Sequence, residues 1–422
     1  MNSQPSMQPL HPIESTILEH HVAIESWFRA QWQKTPAPIT TSVDLRQAGF
    51  KMVPVDTNLF PAGYNNLNPK DLPLCVLAVQ STLANLGLKG ADMVIVPENH
   101  TRNEYYMKSL LVLRDIFVKS GLNVRLGSMD ETLLEPRYLD ADDGEQVSIE
   151  PLKKQDMRLY LDDFEPSFLL LNNDLSSGVP DLLENLQQRI EPLVALGWNQ
   201  RLKSTHFGFY REVCLEFSAS LGIDPWLIEP MFVAHEAIDF MSQLGVERLA
   251  EDADVMLQKI RDKYQEYGIQ EQPFVVVKSD NGTYGMSVMM VHSGQELLQL
   301  NRKQRTKMAA NKGRQKVERV IIQEGVHTIE TTVDGSVAEP VVYLIGSYVV
   351  GGFYRVHQER GKADNLNAPG MHFEPLPFSS ACNVPCLNKK NAVLANRFYV
   401  YGVLARLAAL AAAREMHALE SV

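Results

Sequence analysis

At 422 residues the chain is long enough for two or three hydrophobic cores, and 45% hydrophobic with 22% charged residues is the make-up of an ordinary globular protein. A formal net charge of −11 argues against nucleic acid as the main partner. Four cysteines, no visible secretion signal and no uninterrupted apolar run long enough to span a bilayer lead us to expect a cytoplasmic protein that is not membrane-bound.

In chain order, residues 13–34 carry a helical apolar pattern that stops before the two prolines of "TPAPIT". Short strands follow at "TTSVDL" (40–45) and "KMVPVDT" (51–57). A helix over 72–87, the strand "DMVIVP", a helix over 103–120 and the strand "NVRLG" then alternate, which predicts an α/β fold with a mostly parallel sheet. Acidic "LDADDGEQ" (139–146) reads as a solvated loop or hairpin. The strand "SFLLLNND" and a helix from Pro180 to about Ile190 continue the pattern, and helices dominate 205–266. From 273 strands take over: "FVVVK", "SVMMV", "RVIIQEG", "IETTV", "EPVVYLIG" and "YVVGGFYRV", antiparallel-rich, with one helix near 294–310. An Ala-rich helix over 391–418 closes the chain, and no internal repeat is visible.

Four polar clusters interrupt this apolar texture. "VVVKSDNGTYG" (275–285) is a buried-type strand that ends in Lys278 and runs into a glycine-containing loop. A lysine supplies a point charge, and the backbone of Gly282, Thr283 and Gly285 can approach phosphate oxygens closely, so this pattern suits a polyphosphate; a plain hairpin turn is the bland alternative. It matches neither the Walker pattern nor G-x-G-x-x-G. "RVIIQEGV" (319–326) is a second strand with an acceptor at its edge: Gln323, Glu324 and Val326 are candidates for ribose and adenine. In "KMVPVDTNLFPAGYNNL" (51–67), Asp56 and Asn58 fall on one face of a strand, a pair of hard oxygen donors that fits Mg²⁺, although an Asx turn before Pro61 is equally natural. In "GGFYRVHQERGKADNLNAPG" (351–370), Arg355 ends a strand and can grip a carboxylate or phosphate in a bidentate fork, with Asn365 and Asn367 in the polar loop behind it.

Three features carry less weight. Cys382 and Cys386 in "ACNVPC" have too few companions for zinc and read best as reduced loop cysteines. The run "NRKQRTKMAANKGRQKVER" (301–319) holds eight Lys or Arg against one Glu, and in an acidic protein it reads as a solvated helix and lid edge. His100 and Arg102 follow a strand's carboxyl end, where open α/β sheets bind ligands.

Taken together, the lysine strand with its glycine loop, the "QEG" strand, the arginine strand and the Asn loop resemble the ATP-grasp superfamily. More closely, "SVDLRQAGFKMVPVDTNLFPAGYNNL", "GWNQRLKSTHF", "VKSDNGTYGM" and "NLNAPG" resemble the proteobacterial ATP-grasp glutamate–cysteine ligases, over nearly the whole chain. The resemblance implies an ATP-grasp-like α/β ligase, permuted as in eukaryotic-type glutathione synthetases. An N-terminal α/β substrate- and metal-binding domain would span 1–200, and a nucleotide-binding region 201–422 would include a lid loop at 279–286. It implies ATP and Mg²⁺ as cofactors, with Asp56, Asn58 and Asp280 as metal ligands and Lys203 as a second nucleotide lysine. Glutamate and cysteine would be the substrates, joined through γ-glutamyl phosphate, with Arg355 stabilising charge and Arg46 clamping a substrate α-carboxylate. Two alternatives remain at this stage: another ATP-grasp carboxylate–amine ligase such as glutathione synthetase, or an ATP-binding regulatory module without chemistry. A homo-oligomer is compatible with either.

Overall fold

The computed structural model describes residues 10–88, 92–99, 103–140, 146–282, 287–309, 316–376, 385 and 393–420. Pro12 at the first helical position and Glu14, whose carboxylate accepts the His11 N–H at 2.7 Å, start α1 (Pro12–Glu19). The single helix expected over 13–34 divides at His20. Its backbone leaves helical geometry, its Nδ1 lies 2.8 Å from the Thr16 carbonyl, and α2 (His21–Lys34) restarts beyond it.

Next come β1 (Thr40–Gln47), β2 (Met52–Asn58), α3 (Leu72–Asn85), β3 (Asp92–Val96), α4 (Glu104–Lys119) and β4 (Asn123–Ser128). Asn103 caps α4 by accepting the N–H groups of Tyr105 and Tyr106. Of the acidic stretch, residues 141–145 lie outside the described residues; β5 (Arg137–Asp140) and β6 (Gln146–Pro151) on either side pair antiparallel, followed by β7 (Lys153–Gln155), β8 (Arg158–Tyr160) and β9 (Phe168–Leu171). The helix expected from Pro180 to Ile190 does not form. One 3-10 turn at Asp181–Leu183 gives way to β10 (Arg189–Glu191), because the Gln188 amide bonds both backbone groups of Leu159 and the Pro166 carbonyl, holding the chain extended.

The second half begins with α5 (Lys203–Leu221), β11 (Phe232–His235) and α6 (Val246–Glu266), so a strand interrupts the region expected to be helical. It continues through β12 (Val275–Ser279), β13 (Val288–Val291), α7 (Gly294–Leu298), α8 (Arg302–Met308), β14 (Val320–Glu324), β15 (Val337–Ile345), β16 (Tyr348–His357), β17 (His372–Pro375) and α9 (Val393–Glu420). Arg302 and Lys303 of the basic run are exposed on α8. "IETTV" makes only a lone bridge, Thr331 to Val337, since Ile329 N–H goes to the Gln47 carbonyl and Thr332 N–H closes a turn on Ser336.

The α/β class is observed, in three main sheets. The order β10-β9-β3-β4-β6-β5 is parallel except for the β5 edge. Two antiparallel sheets run β17-β16-β15-β1-β2 and β11-β14-β12-β13. β1 pairs with β15 across the boundary expected at residue 200, Asp44 opposite Val341. One face of the five-stranded sheet packs on α9, through Val43, Leu45, Val342 and Val356. The other carries Val341, Tyr343 and Phe353 into a separate core with α3 and α4. In α9 the arginines that break the apolar run each meet a carboxylate: Arg397 on Glu14, Arg406 on Glu25, Arg414 on Glu216. No described helix is long and apolar enough to cross a membrane.

Candidate active site

Strand alternation sends Val276, Lys278, Val288, Met290 and Gln323 to one side of the four-stranded sheet, while Val275, Val277 and Ile322 go to the α6 core. In the five-stranded sheet Asp44, Arg46, Glu339 and Arg355 share the face opposite α9. These two polar-edged faces border one cleft with about 890 Å³ of empty space, open solvent included.

One end of the cleft is built on a bulge. Asp44 pairs with Asp56 and Leu45 with Pro54, which leaves Val55 unmatched between β1 and β2. The Val55 carbonyl, released from the ladder, accepts Lys278 Nζ at 2.8 Å, and Gln323 Oε1 accepts the same ammonium at 2.8 Å. Lys203 Nζ lies 3.0 Å from Asp56 Oδ1 and 3.9 Å above the Trp198 ring. Burial, reinforced by Lys203, lowers the Lys278 ammonium to about 8. Burial works against ionising Asp56, but Lys203 and Lys278 outweigh it and hold the carboxyl below its usual range.

The other end is an alternating row of charge. Glu339, opposite Arg355 in the register, accepts Arg355 Nη1 with Oε1 and Arg46 Nε with Oε2, the latter at 3.1 Å. Arg355 Nη1 also donates to Asp44 Oδ2 at 2.8 Å. Burial, with Glu339 and Asp56 nearby, raises the Asp44 carboxyl despite Arg355. Two buried donors on the cleft residues, Arg355 Nε and Gln323 Nε2, have no hydrogen-bond partner among the described residues.

Most of the residues singled out in the sequence converge here: Arg46, Asp56, Lys203, Lys278, Gly282, Gln323, Glu324, Val326, Arg355, Asn365 and Asn367 all border the cleft. Thr283, Gly285, His100, Arg102, Cys382 and Cys386 lie outside the described residues. Four of the residues given roles in the sequence have their side chains engaged elsewhere in this structure. Asn58 makes the Asx turn, its Oδ1 accepting Phe60 N–H and the Trp198 indole. Asp280 is buried, with both carboxylate oxygens engaged by Ser204. Glu324 points away from Gln323, as neighbouring strand residues must. Its carboxylate is buried on Lys51 at 2.8 Å and on the Trp226 indole at 3.0 Å. Arg46 directs its guanidinium to Glu339 and to the carbonyls of Val326, Lys362, Ala363 and Asp364, which tethers the chain just before the Asn365–Asn367 loop.

Sequence reasoning missed Asp44 and Glu339. Both carried a signal: Asp44 is two residues from Arg46 on the same strand face, and Glu339 is a lone acid heading a long apolar strand.

A family model described as Glutamate-cysteine ligase matches residues 14–416. A solved structure from Methylobacillus flagellatus KT, provisionally named a gamma-glutamylcysteine synthetase, is 47% identical, with 99% of each chain covered and a TM-score of 0.90. A glutathione synthetase-like effector from Globodera pallida is 10% identical over 86% of this chain and 83% of its own, with a TM-score of 0.35, too low to carry an argument. A search of curated proteins gives no match. With the model spanning almost the entire sequence and a near-full-length relative at that identity, the chain belongs to the glutamate–cysteine ligase family.

Proposed function

We propose that this ATP-dependent ligase joins the side-chain carboxylate of glutamate to the α-amino group of cysteine through γ-glutamyl phosphate, giving γ-glutamylcysteine, ADP and phosphate, and that it works in the cytoplasm. The observation that supports the reading best is the cleft between the two antiparallel sheets, where Lys203, Lys278 and Arg355 surround two opposed carboxylates, Asp44 and Asp56. Three cations around one cleft suit a polyphosphate and the charge that builds up in phosphoryl transfer. The apolar side chains Phe274, Val276, Met290 and Val326 border the same cleft and suit a flat base.

The donor set fits Mg²⁺ as well, because that ion takes one or two carboxylates and completes its shell with phosphate and water. Asp56, ionised with its side chain 39% exposed, and Asp44 across the ladder are the residues that would hold it. Bound there, the ion would neutralise phosphate charge and favour transfer to the glutamate carboxylate. The protein's own contribution is alignment. Lys203 and Lys278 bind the phosphates, and Arg355, fixed by Asp44 and Glu339, presents its unpartnered Nε to the oxyanion that develops when the amine attacks. Closure of the cleft against water protects the acyl phosphate from hydrolysis.

The test is ADP release by purified protein with Mg-ATP and glutamate and cysteine, singly and together. Turnover only with both, with the mass of γ-glutamylcysteine in the product, is expected. Turnover only with γ-glutamylcysteine and glycine would refute the substrate assignment, and chelation that leaves the rate unchanged would refute the metal.

A further inference from the structure

The two lysines come from segments far apart in the chain, yet both ammonium groups serve one end of the cleft. Like charges at close quarters push apart, so their spacing has to be held by something other than their own side chains. Lys203 is the first residue of α5, and the residue before it, Leu202, offers no side-chain acceptor for the open N–H groups of the first turn. That acceptor arrives from the end of β12. The Asp280 carbonyl accepts Lys203 N–H at 2.7 Å, its Oδ1 accepts Ser204 N–H at 2.7 Å, and its Oδ2 accepts the Ser204 hydroxyl at 2.6 Å. Asp280 N–H is tied in turn to the Arg319 carbonyl at 3.0 Å, just before β14. Asp280 stands two residues past Lys278, a backbone reach of at most about 7 Å.

We propose that Asp280 is a positioning residue: its cap on α5 sets the separation of Lys203 and Lys278, and so the affinity of the site for nucleotide phosphates, without contact to nucleotide or metal. The inference rests on the reading that these lysines bind phosphate. A helix cap with no such role would lower thermal stability and leave nucleotide affinity untouched in the folded protein. A metal ligand would act only when metal is present.

The experiment is calorimetric titration of the full-length protein with ADP, with Mg²⁺ and again with EDTA, for wild type, Asp280→Ala, Asp280→Asn, Ser204→Ala, Lys203→Met and the Asp280→Ala/Lys203→Met double variant. Circular dichroism establishes that each is folded. Asp280→Ala is expected to weaken ADP by about tenfold or more with and without metal, because the lost alignment concerns the lysines. Asp280→Asn, which can still accept Ser204 N–H, falls between it and wild type. Ser204→Ala, the mildest change, moves affinity in the same direction and keeps the test open if Asp280→Ala does not fold. In the Lys203→Met background Asp280→Ala is expected to add little, since the two act as one unit. Wild-type ADP affinity in folded Asp280→Ala and Ser204→Ala overturns the proposal, as do fully additive losses in the double variant. A loss seen only with Mg²⁺ overturns it in favour of a metal ligand. Unchanged affinity in Lys203→Met overturns the phosphate assignment itself, and the coupling with it.

Discussion

Lys278 should tie stability and nucleotide affinity to pH with opposite signs. Its ammonium is lowered from the ordinary 10.5 to about 8, chiefly by burial and then by Lys203. Between those two values the unfolded chain holds a proton that the folded chain has released, so stability must rise with pH across the window. With those two values the linkage amounts to about 2 kcal/mol of added stability between pH 7.5 and 9.5, and nearly all of it should vanish in Lys278→Met. Binding of a phosphate runs the other way, because it needs the charged form. The affinity for MgADP should therefore fall over the same range in wild type.

Urea unfolding at a series of pH values, wild type beside Lys278→Met, reads the first effect as a difference of slopes. That difference cancels other groups that titrate identically in both proteins, and it is insensitive to the constant cost of leaving Val55 and Gln323 without their donor. Parallel stability curves for the two proteins would refute the argument, for they would mean that Lys278 keeps its solution value. A nucleotide affinity that rises from pH 7.5 to 9.5 would refute the role given to the charge.

The remaining predictions test single contacts. Arg355→Lys can keep the contacts that Nη1 makes with Asp44 and Glu339 but removes the unpartnered Nε, so turnover should fall by about 100-fold or more while ADP affinity changes little; near-normal turnover in steady-state assays would refute the assignment. Glu324→Ala strands the Lys51 ammonium, 1% exposed, and should cost roughly 3–5 kcal/mol in urea unfolding; a normal unfolding curve with a raised KM for ATP would restore Glu324 to the nucleotide. Gly325→Ala puts a Cβ 2.2 Å from Cδ2 of Phe274, a ring that borders the cleft, so KM for ATP should rise and stability should drop by about 1–3 kcal/mol; unchanged values of both would show that the ring moves freely.

What the sequence made legible depended on contrast. Lys278, Arg355 and Gln323 stand out because a polar residue at the end of a buried strand costs energy unless something receives it, and all three border the cleft. Strand periodicity was equally informative where it was applied. Taken one step further it would have set Asp44 beside Arg46 and separated Glu324 from Gln323, since neighbours on a strand face opposite ways. Two things were beyond its reach. The pairing of β1 with β15 sets Thr40 opposite Ile345, residues far apart in the chain, and no local pattern specifies which strands meet.

The second is the use made of an acid. Asp56, Asp280 and Glu324 all stand near the end of an apolar strand and read alike, yet one opens on the cleft beside two lysines, one caps a helix and one neutralises a buried lysine. Residue type supplies the carboxylate, but the donor that claims it comes from a distant segment: Lys203, Ser204 or Lys51. A buried carboxylate whose two oxygens are each held by a donor must rearrange those contacts before it can take a metal or a ribose. For that reason Asp56, with its side chain 39% exposed, is the acid of the three that can still accept a cation, and Asp44, with one oxygen on Arg355, stands opposite it.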